Sequence, residues 1–173
     1  MKERLLHCLV WCSRIHRCRG FGIQSPTDYA FVRYVINEHW PYYAYDELTD
    51  DDWLTQKLGR LFFRMANWRQ PRLMLRDKWQ KYWHAGCRTT IFADSVDTVE
   101  LAYVEIDDRQ TWLGLLPKCN KDSCVIVGGI HRDKTGWQLM LSAPHVGIAY
   151  DLYYCGILMF DKKRHPHHYV VNF

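Results

Sequence analysis

The sequence predicts an α/β domain in which a mixed β-sheet, with helices on both faces, follows a helical N-terminal extension. Over residues 1–70 apolar residues recur at helical spacing, whereas from residue 71 short apolar runs alternate with helical pieces. Several of these runs are continuously apolar, which is typical of strands covered on both faces. We therefore expect a single domain, residues 1–173, with a helical part (1–70) and a sheet part (71–173).

Composition supports a globular domain. Of the 173 residues 48% are hydrophobic and 24% are charged, which excludes disordered, collagenous and low-complexity chains. No apolar run reaches the roughly 20 residues that a membrane-spanning helix needs, and the N-terminus has no signal-peptide pattern. We therefore expect a cytoplasmic protein with no membrane contact.

Three helices are predicted in the N-terminal part. The first covers residues 2–18. Ser25 and Pro26 are typical of the N-cap and first position of the second helix. The acidic run 46–52 precedes the third helix, where carboxylates favour the positive end of the helix dipole.

The third helix carries the clearest apolar stripe. Its members are Leu58, Leu61, Phe62 and Met65. Because they share one side of the helix, we predict that they are buried against the sheet. Basic residues occupy the opposite side, and we predict that they stay exposed: Lys57, Arg60 and Arg64.

Seven apolar runs predict strands: 73–75, 89–92, 101–104, 123–127, 146–154, 156–160 and 168–173. Helices are predicted to begin near Asp107 or Asp108 and near Asp133. The connections within 146–173 are too short for a crossover helix, so we predict antiparallel strands at one edge of the sheet.

The connection between runs 89–92 and 101–104 is also short, at eight residues. A parallel crossover takes about a dozen or more residues. Either these runs pair as a hairpin or they are not both strands. In both cases the chain lacks one or more of the βα units of a normal doubly wound sheet.

The cysteines and histidines predict no metal site. The seven cysteines include no CxxC pair, so the usual zinc spacing is absent and reduced thiols are expected. A site formed by Cys8, Cys12 and His7 is the alternative. We interpret the histidines at 165, 167 and 168 as exposed side chains.

Charge is unevenly distributed along the chain. Residues 57–88 hold nine basic residues and one acid, and residues 94–108 hold six acids and no base. Such blocks either pair with each other in the fold or attract charged partners. Basic and aromatic residues are interleaved in one segment, which gives a nucleic-acid interface as one hypothesis. Its basic residues are Arg69, Arg72, Arg76, Lys78 and Lys81.

Several segments together resemble a known family. In the N-terminal half they are Phe-Gly-Ile-Gln-Ser-Pro-Thr at 21–27, Tyr-Tyr-Ala-Tyr-Asp-Glu at 42–47 and Phe-Phe-Arg-Met-Ala-Asn at 62–67. In the C-terminal half they are Tyr-Val-Glu at 103–105, Val-Ile-Val-Gly-Gly-Ile-His at 125–131 and Asp-Leu-Tyr-Tyr-Cys-Gly-Ile-Leu-Met-Phe at 151–160. Their order and spacing are similar to a bacterial group of class I S-adenosylmethionine-dependent methyltransferase-like proteins. The resemblance implies a reduced Rossmann-like methyltransferase fold.

The sequence departs from this family where the cofactor would bind. The family has an acidic residue and then glycines after its first strand, because glycine lets the backbone approach the ligand closely. Here Arg76 takes the acidic position and the first glycine is Gly86. Between them, Trp79, Tyr82 and Trp83 have helical spacing. We predict that they form a helix that fills the former cofactor cleft.

The candidate site residues follow predicted strands. Asp94 lies 19 residues after Leu75, close to where such folds place an acid for ribose hydroxyls. We take Asp94, Glu105, Gly128 and Gly129 as candidate cofactor-binding residues. The alternative is that the two acids belong only to an acidic surface block.

Two residues are candidates for catalysis. These are Glu105, at the end of a predicted strand, and His131, which follows two glycines and could act as an acid or base. The alternative for His131 is a tight turn in which the histidine has only local hydrogen bonds.

The leading functional hypothesis is a shortened, degenerate methyltransferase-like domain that does not bind S-adenosylmethionine and acts as a binding or interaction module with an unknown partner. One alternative is an active methyltransferase with an atypical cofactor loop, which would use S-adenosylmethionine. Another is a nucleic-acid-associated protein that uses the basic segment 57–88. A homo-oligomer is also possible.

Overall fold

Helices cover both faces of a mixed β-sheet in this α/β protein. The structure is a computed structural model, and it describes residues 2–49, 52–161 and 166–173, with no description of the side chains of residues 2–4. Asp50 and Asp51 of the acidic run and His165 of the histidine group lie outside the described residues.

The N-terminal part is helical up to Arg69. It contains α1 (Lys2–Ser13), a 3₁₀ segment (Ile15–Gly20), α2 (Pro26–Phe31), a π-helical turn (Val32–Ile36), a short 3₁₀ turn (Tyr43–Tyr45) and α3 (Trp53–Arg69). The first helix is therefore shorter than predicted, because the backbone already leaves the α-helical region at Arg14, with φ −109° and ψ 12°. Its apolar residues Leu5 and Leu9 are exposed.

The predicted helix starts have the expected caps. The Ser25 hydroxyl accepts a hydrogen bond from the backbone N–H of Asp28, and Pro26 occupies the first helical position. Asp52 accepts hydrogen bonds from the N–H groups of Leu54 and Thr55, as an N-cap of α3 does.

The remaining elements alternate between strands and helices. The strands are β1 (Leu73–Leu75), β2 (Ile91–Ala93), β3 (Val99–Glu105), β4 (Cys119–Gly128), β5 (Ile148–Asp151), β6 (Cys155–Met159) and β7 (His167–Val170). The helices between them are α4 (Gln80–Gly86), α5 (Arg109–Leu115) and α6 (Lys134–Leu141). Asp108 and Asp133 cap α5 and α6, as predicted.

Five strands pair in the order β3-β4-β6-β5-β7, and the parallel pair β1-β2 lies beside β3 through β1. Strand β6 is antiparallel to both of its neighbours, whereas β3 is parallel to β4 and β5 is parallel to β7. The mixed sheet is therefore confirmed.

The prediction of antiparallel strands throughout residues 146–173 is wrong in part. Strands β5 and β6 are antiparallel, but β7 pairs with β5 in parallel register, with Ile148 opposite His167. β7 follows β6 in the chain and pairs on the far side of β5. Strand β5 is antiparallel to β6. Because β7 also runs opposite to β6, it runs in the same direction as β5, and the two strands pair in parallel.

Both predicted alternatives for β2 and β3 are also wrong. Both are strands, yet they do not pair, because β1 lies between them. Residues 94–98 connect them directly. The chain must run back from the end of β2 to the start of β3. Because β2 has only three residues, this distance is about 10 Å, and five extended residues span it.

Helix α3 is covered on both sides. Leu61, Phe62 and Met65 have no exposed surface, as predicted, and Leu58 is half-buried. The prediction for the basic side is wrong: Arg64 is buried, and Lys57 and Arg60 are partly buried. The physical reason is that the π-helical turn and the Tyr43–Tyr45 turn pack on that side of α3 and contact Arg64.

Polar contacts join the helical part to the sheet. The buried carboxylate of Asp28, in α2, accepts hydrogen bonds from the hydroxyls of Tyr150 (3.0 Å) and Tyr169 (3.1 Å). Arg14 forms an ion pair with Asp151 at 2.9 Å. These contacts hold α2 and the segment after α1 against β5 and β7.

None of the helices in the described part of the chain is long and apolar enough to cross a membrane.

Candidate functional site

A groove of about 490 Å³ opens where β1, β2 and β3 end. The carboxyl edge of an open α/β sheet is where ligands usually bind. The sequence-predicted Asp94 and Glu105 both line this groove. So do residues of the turn after β1 and of α5: Arg76, Asp77, Lys78, Asp108 and Thr111.

Asp94 forms an ion pair with Arg76, the residue that replaces the family's acid. The Arg76 Nε lies 3.3 Å from the Asp94 Oδ1, and Arg76 also donates to the backbone carbonyl of Phe92. The chain's own guanidinium is therefore one partner of this carboxylate, although the Asp94 side chain stays 93% exposed.

Glu105 has three partners. Lys78 Nζ and the Tyr103 hydroxyl each donate to its Oε1 at 2.6 Å, and Arg132 Nη2 lies 2.6 Å from its Oε2. Partial burial by itself raises the pKa of Glu105, but the hydrogen bonds from Lys78 and Tyr103 and the charge of Arg132 lower it overall. A carboxylate held ionised in this way is a poor general base, although Glu105 could orient a ligand.

Asp77 stabilises the start of α4. Its carboxylate accepts hydrogen bonds from the backbone N–H of Trp79 at 2.7 Å and from Trp83 Nε1 at 3.0 Å. Burial raises the pKa of Asp77 to about 6, despite those hydrogen bonds and the nearby Lys78. This carboxyl therefore changes its charge close to neutral pH.

We expect the Asp77→Asn variant to be less pH-dependent in stability than the wild type. The pKa of Asp77 is raised in the folded protein, so its stabilising contribution is full below pH about 4 and is lost as the pH rises through about 6. A shift of about 2 pKa units corresponds to about 2–3 kcal/mol. Urea unfolding at pH 4.5 and 7.5 measures this difference. An unchanged pH dependence in the variant would contradict the assignment.

Gly128 and Gly129 have structural reasons to be glycine. A Cβ on Gly128 would overlap the Tyr103 hydroxyl, and a Cβ on Gly129 would overlap the Arg132 guanidinium. Gly129 also has φ +73°, a conformation that favours glycine. The lack of a side chain at Gly128 and Gly129 thus leaves room for Tyr103 and Arg132, two of the three partners of Glu105.

His131 lies outside the groove. Its ring stacks on Tyr153 with 5.1 Å between centroids and contacts Tyr154 edge-on. Burial, followed by the charge of Arg132, lowers the pKa of His131. The structure therefore places this candidate catalytic residue in an aromatic cluster, and it does not line the groove with Glu105.

The aromatic side chains of the turn after β1 form the predicted helix, but they do not fill the groove. Trp79, Tyr82 and Trp83 are buried against α3, where Trp83 stacks on Phe62 with 4.8 Å between centroids. None of the three lines the groove. The prediction that they occupy the cleft is wrong, because α3 offers a more apolar surface than the charged strand ends.

The basic segment is partly paired with the chain's own acceptors. Arg69 donates to the backbone carbonyls of Glu100 and Asp122, while Arg76 and Lys78 form the two ion pairs described above. The Lys81 Nζ lies 5.1 Å from the centre of the Tyr82 ring. Arg72 is exposed.

A second cavity was missed by the sequence analysis. It measures about 700 Å³, lies on the basic side of α3 and shares no lining residue with the groove. Lys57, Arg60 and Arg64 line it. Their spacing along the helix was the available signal, but it was interpreted as a solvent-exposed face.

Across residues 2–49, 52–161 and 166–173, no group of three or more His, Cys, Asp or Glu side chains could hold a metal ion. The seven cysteines are free thiols. Comparisons with protein-family models, curated proteins and solved structures gave no match.

Proposed function

We propose that this chain is a shortened, degenerate methyltransferase-like domain that does not bind S-adenosylmethionine and acts as a binding module. The sheet supports the fold assignment. One reversed strand, β6, lies inside a sheet whose other strand pairings are parallel, which agrees with the mixed sheet predicted for this fold. In addition, no helix separates β2 from β3, which supports the loss of a βα unit.

The ion pairs at the strand ends carry the proposal against cofactor binding. Asp94 and Glu105 are the two candidate cofactor-binding carboxylates in the groove, and both already contact cations of this chain. The turn after β1 consists of residues with large side chains, which keep a ligand away from the backbone. A cofactor would have to displace Lys78 or Arg132 to reach the partly buried Glu105. At the exposed Asp94 it would compete with Arg76.

We expect isothermal titration calorimetry to detect no binding of S-adenosylmethionine or its demethylated product up to millimolar concentrations. Thermal unfolding with the same ligands is expected to show no shift, because only a ligand that binds the folded state raises the melting temperature.

A micromolar dissociation constant would contradict the proposal and favour the alternative of an active methyltransferase. Two variants would then locate the binding. Asp94→Asn weakens binding in the groove, whereas the matched control Asp97→Asn, at an exposed position, leaves it unchanged.

A further inference from the structure

The cavity on the basic side of α3 is formed by the helical part and the C-terminal residues. Its walls come from α3, from residues 36–46 and from Asn172 and Phe173. Several aromatic side chains line it: Trp11, Trp40, Tyr45, Trp53 and Phe173. Its volume of about 700 Å³ falls within the range of roughly 300–1,000 Å³ typical of small-molecule sites.

Positive charge dominates the lining of this cavity. Arg19, Lys57, Arg60 and Arg64 contribute cations, against the carboxylates of Glu38 and Asp46. Glu38 accepts a hydrogen bond from the Tyr42 hydroxyl at 2.7 Å. None of the ion pairs found between described residues involves the four cations.

The charge of Arg64 is buried among neutral acceptors. Its guanidinium donates to the carbonyls of Val35 (2.7 Å) and Ile36 (2.8 Å) and to the Tyr45 hydroxyl (3.2 Å). A buried cation without a counter-ion is unfavourable, so an anion in the cavity would stabilise this arrangement.

Burial, together with the cations of the cavity, lowers the pKa values of two neighbouring side chains, Lys57 and His39. Burial, and then the charge of Arg64, lower the pKa of Lys57 to about 8. The Lys57 Nζ lies 4.3 Å from the centre of the Phe173 ring. Burial and then the charges of Arg19, Arg64, Lys57 and Arg33 lower the pKa of His39. An anion bound beside these groups would raise both pKa values.

Two buried donors at the cavity have no acceptor. They are Arg60 Nε and Asn37 Nδ2, which make no hydrogen bond to any described residue. Buried polar atoms in folded proteins nearly always have a partner. The Arg60 guanidinium is held over the Tyr45 ring at 5.0 Å, so it is already oriented by the protein.

We propose that this cavity binds a small organic anion, in which a phosphate or carboxylate group is joined to a flat ring. The anionic group would contact Lys57 and Arg60, because guanidinium and ammonium groups bind such oxyanions through short, charge-assisted hydrogen bonds. The ring would lie against Trp53, which lines the same cavity. This site is distinct from the groove and does not depend on the proposed function.

Phenyl phosphate is a suitable probe, with inorganic phosphate and phenol as its two halves. Titration calorimetry at constant ionic strength is expected to show one phenyl phosphate per chain. Arg60→Gln and Lys57→Gln are each expected to weaken binding about tenfold or more, the usual effect of losing a charge-assisted hydrogen bond. The matched control Arg88→Gln removes an exposed positive charge elsewhere and is expected to leave binding unchanged.

Three results would overturn the proposal. They are absence of phenyl phosphate binding, equal loss in the Arg88→Gln control, and binding of phenol as tight as that of phenyl phosphate. Equal affinity for inorganic phosphate would overturn the role of the ring. S-adenosylmethionine titration reports on the groove and phenyl phosphate on the cavity, so failure of one proposal is distinguishable from failure of the other.

Discussion

The Trp83→Ala variant is expected to lose about 3–5 kcal/mol of unfolding free energy, as large aromatic truncations in protein cores do. Trp83 has no exposed surface. It stacks on Phe62 of α3 with 4.8 Å between ring centroids, and its Nε1 donates to Asp77. Alanine would leave a cavity between α3 and α4 and remove a hydrogen-bond donor from a partly buried carboxylate.

Urea unfolding followed by circular dichroism measures this loss. Typical domains have only about 5–15 kcal/mol of stability, so the variant is expected to be partly unfolded at moderate temperature. Trp40→Ala is the matched control, because the Trp40 side chain is 72% exposed, and we expect it to change stability little. A loss below about 1 kcal/mol in Trp83→Ala would contradict tight packing of α4 on α3.

Arg64→Met is expected to destabilise the protein by about 2 kcal/mol. Arg64 binds the carbonyls of Val35 and Ile36 at the end of the π-helical turn, where carbonyls lack helical partners. Methionine has a similar length but donates nothing, so both buried carbonyls lose their hydrogen-bond donor. Each unsatisfied buried group costs about 1–3 kcal/mol.

An opposing effect reduces this cost. Methionine removes a buried charge that has no counter-ion among the described residues, and this removal is favourable. The cost of losing the two hydrogen bonds is larger than this gain, because the two carbonyls also form the negative end of the helical turn beside the guanidinium. Arg88→Met at an exposed site is the control. A variant more stable than the wild type would show that the buried charge is the larger cost.

Local signals in the sequence were sufficient for the helix starts and for most strands. Ser25 and Asp52 accept hydrogen bonds from residues two or three positions away, so such local signals identified Ser25 as an N-cap and the acidic run 46–52 as the start of a helix. The stripe Leu61, Phe62 and Met65 was equally clear, because one helical period places its members on one side.

Long-range packing limited the other predictions. The basic side of α3 was predicted to be exposed because periodicity cannot show that a second layer, residues 32–45, covers it. The position of β7 beyond β5 likewise depends on sheet order, which short connections do not determine.

The candidate site was predictable only in part. Asp94 and Glu105 were identified by their positions after strands, and they do lie in one groove. Their pairing with Arg76, Lys78 and Arg132 depends on contacts between residues up to 27 positions apart. His131 follows a strand as well, but the stacking on Tyr153 that takes it away from the groove was not visible in the sequence.

The place of β6 has a consequence for synthesis on the ribosome. β6 is the only strand between β4 and β5 in the described sheet, so β5 has no partner on that side until residues 155–159 have emerged. The backbone N–H and C=O groups on that edge of β5 are therefore still unpaired when most of the chain has been made. Because domains are made at about 5–20 residues per second, this interval lasts about a second, and nascent chains halted before β6 are expected to attract chaperones.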